Sequence, residues 1–326
     1  MLFGNIDFHN VEALELCGKG YKMSRIPAFL REKMPADVQT QRAYYSTGVE
    51  LRFVILEDAV TLTLCADAAE EANTAYIYYG SFQAGWACSS KAILPENTAI
   101  TIPAPDNLPC LRQITAEQGL SFDPAVVRVV LPYGTCFFVG SEGALAPPTP
   151  AQLPEKTYLA YGSSITHGSL ALCPPCTYPF RIARHLQCDY LNLGFAGSAR
   201  LEPEMAAYLV AREDWSFASV ELGINMLDKF TSEAFEARVK AFLDILAADP
   251  RPVFVTSIFG FNAPLQEQAV IFREIVKKYA QDRFVFTDGL ALLNRPAFIS
   301  QDMTHPDFEG INEIVTRWGE IMSRYL

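Results

Sequence analysis

The chain has 326 residues, half of them apolar, and a formal net charge of −11 at pH 7. That length and apolar content are enough for two domains with sizeable cores. The acidic balance disfavours nucleic acid or an anionic membrane surface as a partner, because both are negatively charged. No apolar run reaches the roughly 18 residues that a membrane-spanning helix needs, so none is expected.

The sequence favours a cytoplasmic location with reduced cysteines. The first residues, MLFGNIDFHNVEALEL, lack the basic start and the continuous apolar segment of a signal peptide. Eight cysteines are present, and without a secretion signal free thiols are favoured over disulfides.

Short β-rich runs dominate residues 1–145. VELRFVIL and AVTLTLCAD alternate apolar and polar residues, and TAYIYYGSF, TAITIPAP and AVVRVVLPYGTCFFVG continue the pattern. Several short strands separated by turn signals predict an antiparallel β-sandwich with a jelly-roll-like topology. The proline-rich stretch that follows predicts a domain linker at residues 146–156.

Strands and helices alternate over residues 157–326. The strand-like segments are TYLAYG, DYLNLGF, FASVELGI, PVFVTSIF and RFVFTDG, and each is followed by a segment with helical periodicity. One predicted helix runs from Ser232 to about Ala248, and the last helix carries Ile311, Ile314, Val315, Trp318 and Met322 at helical spacing. This alternation predicts an α/β domain with a mostly parallel sheet that helices cover on both faces.

Small and polar residues follow the strands at the edge where parallel sheets bind ligands. An aspartate and a histidine also precede the last helix. These residues are Gly162, Ser163, Ser164, Gly197, Asn225, Asp302 and His305.

These residue types are the parts that acyl transfer needs. A serine hydroxyl becomes a nucleophile when a base such as His305 removes its proton. Asp302, three residues earlier, can hold the imidazole in one tautomer. The backbone amides of Ser164 and Gly197 and the Asn225 amide can donate to an oxyanion, and losing one such donor typically slows a reaction about 100- to 1,000-fold. Position alone leaves open whether Ser163 or Ser164 is the nucleophile.

The segments GSSIT, NLGFAGSA, ELGIN and DMTHP resemble, in order, the four motif blocks of the SGNH hydrolases, also called the GDSL esterase/lipase family. The chain is similar to the subgroup in which a β-sandwich or jelly-roll domain precedes the SGNH domain, as in some carbohydrate esterases. The resemblance implies a flavodoxin-like, three-layer α/β/α domain. It also implies Ser164 as nucleophile, Asp302 and His305 as the rest of a triad, and Ser164, Gly197 and Asn225 as oxyanion-hole donors.

The nucleophile segment departs from the family pattern at one position. The usual Gly-Asp-Ser is Gly162-Ser163-Ser164 here, and a serine cannot make the charged contacts of an aspartate. The sequence therefore leaves open how the nucleophile loop is held. The G-x-S-x-G elbow of α/β-hydrolases does not fit either, because Thr166 stands where its second glycine belongs.

We expect a serine esterase without metal or organic cofactor that hydrolyses small O-acyl esters, with acetylated carbohydrate as the first substrate class. The partner would be a small-molecule or oligosaccharide ester, and a homo-oligomer is compatible with the sequence. His167 and Met226 are candidate substrate contacts. An acyltransferase with the same triad is the alternative, and a non-catalytic carbohydrate-binding protein is the third.

The segment Cys173-Pro-Pro-Cys176 is a further candidate feature. Zinc would need a second pair of ligands, and the nearby His185 and Cys188 do not have a usual spacing for one. The surrounding strand pattern also differs from that of thioredoxin-type motifs. The sequence therefore favours a proline-stiffened loop that shapes the substrate pocket over a metal or redox site.

Overall fold

The computed structural model describes residues 1–67 and 73–326. Up to Ala146 the chain is mainly antiparallel strands with short helices between them. The strands are β1 (Leu2–Phe3), β2 (Ile6–His9), β3 (Ala13–Cys17), β4 (Gly20–Ser24), β5 (Glu50–Ile55), β6 (Ala59–Ala66), β7 (Thr74–Tyr79), β8 (Phe82–Gln83), β9 (Ser90–Ala92), β10 (Thr98–Pro103), β11 (Val126–Val130), β12 (Cys136–Glu142) and β13 (Leu145–Ala146). The helices are α1 (Ala28–Arg31), α2 (Ala36–Thr40) and α3 (Leu108–Gln118).

These strands form two layers around one core. One sheet has the order β1-β2-β5-β11-β7-β8, with β13 on β5 and β9 on β7, and the facing sheet has the order β10-β6-β12-β4-β3. Alternate side chains of β6, such as Val60 and Leu62, share a buried cluster with Leu51 and Phe53 of β5. The predicted antiparallel, β-rich N-terminal region is thus present, and its jelly-roll topology stays a prediction.

The C-terminal part is built on a parallel sheet. Its strands are β14 (Thr157–Gly162), β15 (Asp189–Gly194), β16 (Phe217–Glu221), β17 (Val253–Thr256) and β18 (Val285–Thr287), in the order β15-β14-β16-β17-β18. Its helices are α4 (Ser164–His167), α5 (Tyr178–His185), α6 (Pro203–Ala211), α7 (Ser232–Leu246), α8 (Gln266–Ala280), α9 (Gly289–Leu292) and α10 (Phe308–Ser323). The predicted mixed α/β fold with a parallel sheet is confirmed.

Helices cover both faces of this sheet, because the side chains of each strand alternate between two apolar clusters. On β14, Leu159 points into the cluster that holds Phe242 of α7, whereas Tyr158 points into the cluster that holds Trp318 of α10. Counted along the chain, the strand order is 2-1-3-4-5, a doubly wound order whose ligands bind beyond the carboxyl ends of the strands. This arrangement positions the candidate site at that edge.

Two N-terminal details differ from the sequence-based expectation. The run at residues 125–140 is broken into β11 and β12, because Pro132 and Gly134 make a turn between them. Helix α3 was not predicted, although Pro109 in its first turn and the left-handed Gly119 at its end are ordinary helix start and stop signals.

A buried ion-pair network joins the two parts of the chain. Arg52 of β5 donates to both carboxylate oxygens of Asp189, at the start of β15, over 2.6 and 2.7 Å. Arg52 also donates to Glu50 over 2.8 Å, and Arg128 donates to Glu50 over 2.6 and 2.8 Å. All four side chains are buried. The division into residues 1–145, 146–156 and 157–326 stays a prediction. The buried charged groups of the first and last of these ranges are hydrogen-bonded to each other, so each part needs the other to compensate its charges.

This network makes stability depend on pH in the acid range. Burial opposes ionisation of Glu50, but Arg128 and Arg52 outweigh it and lower the pKa of Glu50 to about 2. A carboxyl group with a depressed folded-state pKa stabilises the fold above its unfolded-state pKa, and this contribution is lost as the pH falls toward the folded-state value. We expect the urea midpoint to fall as the pH is lowered from about 4.5 to about 2. A midpoint that stays constant over this window would contradict the interpretation.

Candidate active site

Ser164 lies in a tight turn between the first strand of the parallel sheet and a short helix. Strand β14 ends at Gly162 and α4 begins at Ser164, with Ser163 as its N-cap accepting from the Ile165 amide over 3.1 Å. Gly162 has no room for a side chain, because an added Cβ would lie 2.1 Å from Thr166 Oγ1 and 2.7 Å from Glu221 Oε2. The turn therefore needs glycine, and it places Ser164 just beyond the sheet edge.

Ser164, His305 and Asp302 form one hydrogen-bonded chain. The distance from Ser164 Oγ to His305 Nε2 is 2.7 Å, and that from His305 Nδ1 to Asp302 Oδ2 is 2.5 Å. A serine hydroxyl, an imidazole and a carboxylate are thus within hydrogen-bond reach of one another, which is the geometry that nucleophilic catalysis requires. Of the two candidate serines, Ser164 is the one that contacts the histidine.

The turn before α10 holds the Asp302 carboxylate in place. Its Oδ1 accepts from Ser300 Oγ over 2.6 Å and from the amides of Thr304 and His305 over 2.9 and 3.0 Å. Partial burial opposes ionisation, but the hydrogen bonds from Ser300 and His305 outweigh it and hold the pKa of Asp302 well below its usual range. Asp302 is therefore an anion at neutral pH and can stabilise a protonated imidazole.

The remaining predicted site residues lie on the neighbouring strands. Gly197 follows β15 with a φ of +73°, and no atom lies within 4 Å of the position where its Cβ would be. Asn225 follows β16, and its Oδ1 accepts from the Ala199 amide over 3.1 Å. That bond ties the two loops together and leaves the Nδ2 end of the amide as the donor. Because β15 and β16 flank β14, the loops that carry Gly197 and Asn225 border the loop of Ser164.

Glu221, which the sequence analysis did not single out, holds the nucleophile loop. Its Oε2 accepts from the Ser163 amide over 2.8 Å, from Ser163 Oγ over 2.7 Å and from Thr166 Oγ1 over 3.0 Å. Thr166 Oγ1 is also 2.7 Å from the Tyr178 hydroxyl, at the start of α5. A carboxylate from β16 thus braces the loop in which the family's usual aspartate is Ser163. The sequence signal was present, since FASVELGI is a buried strand with one acidic residue.

The Glu221 side chain is buried. The residue is 1% exposed, and its Oε1 is buried without a hydrogen-bond partner among the described residues. Burial raises the pKa of Glu221, although hydrogen bonds from Ser163 and Thr166 act in the opposite direction. A buried carboxyl group with an unused acceptor is costly, and such groups concentrate at functional sites.

Residues 155–286 match the model of the GDSL-like lipase/acylhydrolase family. This segment is a GDSL-like lipase/acylhydrolase domain. The predicted similarity to SGNH hydrolases is confirmed, and so is the predicted enzyme class, a carboxylic ester hydrolase. No curated sequence matches the chain significantly.

Several solved structures share the fold of the whole chain. The salicylyl-acyltransferase SsfX3 from a tetracycline biosynthetic pathway has a TM-score of 0.77 at 17% identity, covering 99% of this chain and 95% of that one. A GDSL-like lipase from Bacteroides ovatus has a TM-score of 0.67 at 15% identity, covering 98% of each chain. A family two carbohydrate esterase from Clostridium thermocellum, solved with cellohexaose, has a TM-score of 0.59 at 14% identity, covering 85% of this chain and 91% of that one. Each match reaches into the N-terminal strands as well as the GDSL-like domain.

The two predicted substrate contacts of the GDSL-like domain have no exposed surface. His167 is 0% exposed, its Nδ1 lies 2.9 Å from the Gly194 carbonyl, and its ring packs against those of Tyr45 and Tyr133. Met226 is also 0% exposed and lies in the apolar cluster beneath the sheet. In this structure both side chains support the loops from within, and their role as substrate contacts stays a prediction.

The N-terminal part supports the loops of the GDSL-like domain. Arg25 is fully buried and donates to the carbonyls of Asn192 and Gly194, at the end of β15, over 2.8 and 3.0 Å. Burial lowers the pKa of Arg25 to about 9, so it remains a cation at neutral pH. Thr47 Oγ1 donates to the His167 carbonyl, at the end of α4, over 2.9 Å. Groups from the β-sandwich thus hold the segments before Gly197 and after Ser164.

Residues 1–67 and 73–326 contain neither a candidate metal cluster nor a helix that could span a membrane. No cluster of three or more histidine, cysteine or acidic side chains there has a geometry that could hold a metal ion. None of the helices in that part is both long and apolar enough to cross a bilayer. The cytoplasmic location stays a prediction.

Proposed function

We propose that this protein is a serine esterase that cleaves small O-acyl esters through an acyl-enzyme on Ser164. The observation that carries the proposal is the chain of contacts from Ser164 Oγ through the His305 ring to Asp302, at 2.7 and 2.5 Å, beyond the carboxyl edge of the sheet. A serine placed there only as a helix cap would not need a histidine and an ionised aspartate aligned behind it.

The mechanism follows from this geometry. His305 Nε2 takes the Ser164 proton as Oγ attacks the ester carbonyl, and Asp302 stabilises the resulting imidazolium. The Ser164 and Gly197 amides and Asn225 Nδ2 donate to the tetrahedral oxyanion. His305 then protonates the departing alcohol. A water molecule that His305 deprotonates attacks the acyl-enzyme and releases the acid.

The substrate class that we propose is an acetyl ester on a carbohydrate. The His305 and Asp302 side chains are 20% and 37% exposed, so the site is open enough for a bulky alcohol group. The similar esterase from Clostridium thermocellum was solved with cellohexaose. We further propose that residues 1–145 form a jelly-roll-like unit, joined by residues 146–156 to the unit 157–326.

Acyl transfer to a bound alcohol is the second candidate. A salicylyl-acyltransferase shares the fold over 99% of this chain, and its acyl-enzyme would need the same groups. The two reactions differ only in whether water or an alcohol accepts the acyl group.

Turnover of p-nitrophenyl acetate, butyrate and octanoate tests the proposal. We expect a burst of p-nitrophenol, an acylated Ser164 peptide by mass spectrometry, and the highest kcat/KM with acetate. Added sugar alcohols should leave acetate as the main product of a hydrolase, whereas a transferase would give the acetylated sugar. Turnover no faster than the uncatalysed reaction, with none of these esters acylating Ser164, would contradict the proposal.

We infer that Glu221 is a positioning residue for this reaction. It contacts the amide and hydroxyl of Ser163 and the hydroxyl of Thr166, and it lies near enough to His305 for their charges to interact. Three hydrogen bonds to one oxygen fix the turn that aims Ser164 Oγ. A misplacement of a nucleophile by about 1 Å can cost about 100-fold in rate.

Glu221→Gln should lower kcat about 10- to 100-fold, because the loop that holds Ser164 loses a charged hydrogen-bond acceptor. KM should change little, because the groups that would bind the substrate are unchanged. Glu221→Asp keeps the charge and should lower kcat less than Glu221→Gln does.

Glu313→Gln is the matched control for this prediction. Its carboxylate on α10 is 8% exposed and pairs with Arg317, away from the nucleophile loop. We expect its kcat and KM to match those of the wild type. A Glu221→Gln variant with the kcat of the wild type, or one whose KM rises as much as its kcat falls, would contradict the positioning role.

A further inference from the structure

Cys173 and Cys176 are a pair of adjacent thiols in the loop between α4 and α5. The Cys173 thiol donates to Cys176 Sγ over 3.1 Å. Pro174 and Pro175 form a short 3-10 turn between them, closed by the Cys176 amide on the Cys173 carbonyl over 2.8 Å. The loop geometry therefore holds the two sulfur atoms together, which the sequence alone did not indicate.

The pair also differs from the other cysteines in its accessibility. Cys173 and Cys176 are half-buried, and Cys173 lines a cavity whose rim includes Leu172, itself 73% exposed. Cys65, Cys88, Cys136 and Cys188 are buried, and Cys17 and Cys110 are exposed single thiols. This pair thus combines two neighbouring sulfur atoms with partial exposure, and Cys173 borders the cavity.

We propose that Cys173 and Cys176 form a thiol–disulfide exchange site that reacts with small disulfides reaching this half-buried loop, a function separate from ester hydrolysis. A disulfide bond brings sulfur atoms to about 2.05 Å, so closing the present gap requires only a small movement. The two states of the pair can therefore exchange without unfolding the loop.

The surroundings give the two thiols different roles. A hydrogen bond from Cys173 and the nearby Arg181 guanidinium lower the pKa of Cys176 to about 6, although burial opposes this. Cys173 instead has a raised pKa, because its proton is shared with Cys176 and because it is partly buried, although the Tyr76 hydroxyl also contacts it. Cys176 is therefore the attacking thiolate and Cys173 the resolving thiol.

The exchange has two steps. The Cys176 thiolate attacks one sulfur of the small disulfide, forms a mixed disulfide and releases the other half as a thiolate. Cys173 loses its proton to solvent and attacks Cys176 Sγ, which releases the second half. The protein loses two electrons and two protons, and the small disulfide becomes two thiols.

Oxidised glutathione is the probe. The full-length chain is incubated with it at pH 6, the remaining thiols are alkylated, and the disulfides are mapped by peptide mass spectrometry. We expect a Cys173–Cys176 disulfide in the wild type that dithiothreitol reverses. Cys173→Ser should accumulate a stable glutathione mixed disulfide on Cys176, because the resolving thiol is gone. Cys176→Ser should leave Cys173 free.

The exposed thiols Cys17 and Cys110 serve as internal controls for the oxidant. If both become glutathionylated while Cys173 and Cys176 remain free for alkylation, the proposal is wrong. A mixed disulfide on Cys173 in Cys176→Ser, without one on Cys176 in Cys173→Ser, would overturn the assignment of the attacking thiol. Because the readout is mass alone, the test does not depend on esterase activity.

Discussion

Ser164→Ala should reduce kcat for p-nitrophenyl acetate by about 10⁴- to 10⁶-fold, because it removes the hydroxyl that would carry the acyl group. The Ser164 hydroxyl is 2.7 Å from His305 Nε2, and its removal leaves the base without a nucleophile to activate. KM should change little. The measurement is steady-state hydrolysis together with the burst amplitude, which should vanish.

Ser163→Ala is the matched control, since it removes the neighbouring hydroxyl in the same turn. Ser163 Oγ caps α4 and donates to Glu221 over 2.7 Å. We expect a loss of about 1–2 kcal/mol in the free energy of unfolding and a kcat lower by less than about 100-fold, with the burst retained. If Ser163→Ala abolishes the burst and Ser164→Ala keeps it, the nucleophile is assigned to the wrong serine.

Arg52→Met should lower the free energy of unfolding by about 3–5 kcal/mol. The substitution removes the buried cation between Glu50 and Asp189 and leaves the Asp189 carboxylate without its two strongest hydrogen bonds. A buried charge without its partner must be desolvated without compensation. The measurement is urea denaturation at pH 7, followed by circular dichroism.

Arg112→Met gives the reference for an exposed ion pair. The Arg112 side chain is 52% exposed and lies 3.5 Å from Asp123. Pairs of this kind contribute at most about 1 kcal/mol, so the denaturation curve should nearly overlay that of the wild type. Equal effects of the two substitutions would show that the buried network does not join the two parts of the chain energetically.

Much of the architecture follows from local sequence patterns. The alternation of strands and helices over residues 157–326 predicts the parallel sheet. It is readable from short segments because apolar residues recur every second position in a strand and about every 3.6 positions in a helix. The Asp302–His305 pair is also local, since both residues lie in one turn before α10. Gly162 and the serines after β14 are likewise visible as the end of a buried strand. These features depend on neighbours in the chain, so a single sequence determines them.

Other features were decided only by the tertiary structure. Which serine contacts His305 depends on how the turn after β14 is oriented, and Glu221, 58 residues away from Ser163, sets that orientation. The contact between Arg52 and Asp189 spans 137 positions, and no pattern in either segment indicates its partner. The burial of the His167 ring against Tyr133 likewise follows from the packing of distant segments. Such contacts depend on how distant segments meet, and the physical cause is three-dimensional packing, which local periodicity and turn chemistry do not encode.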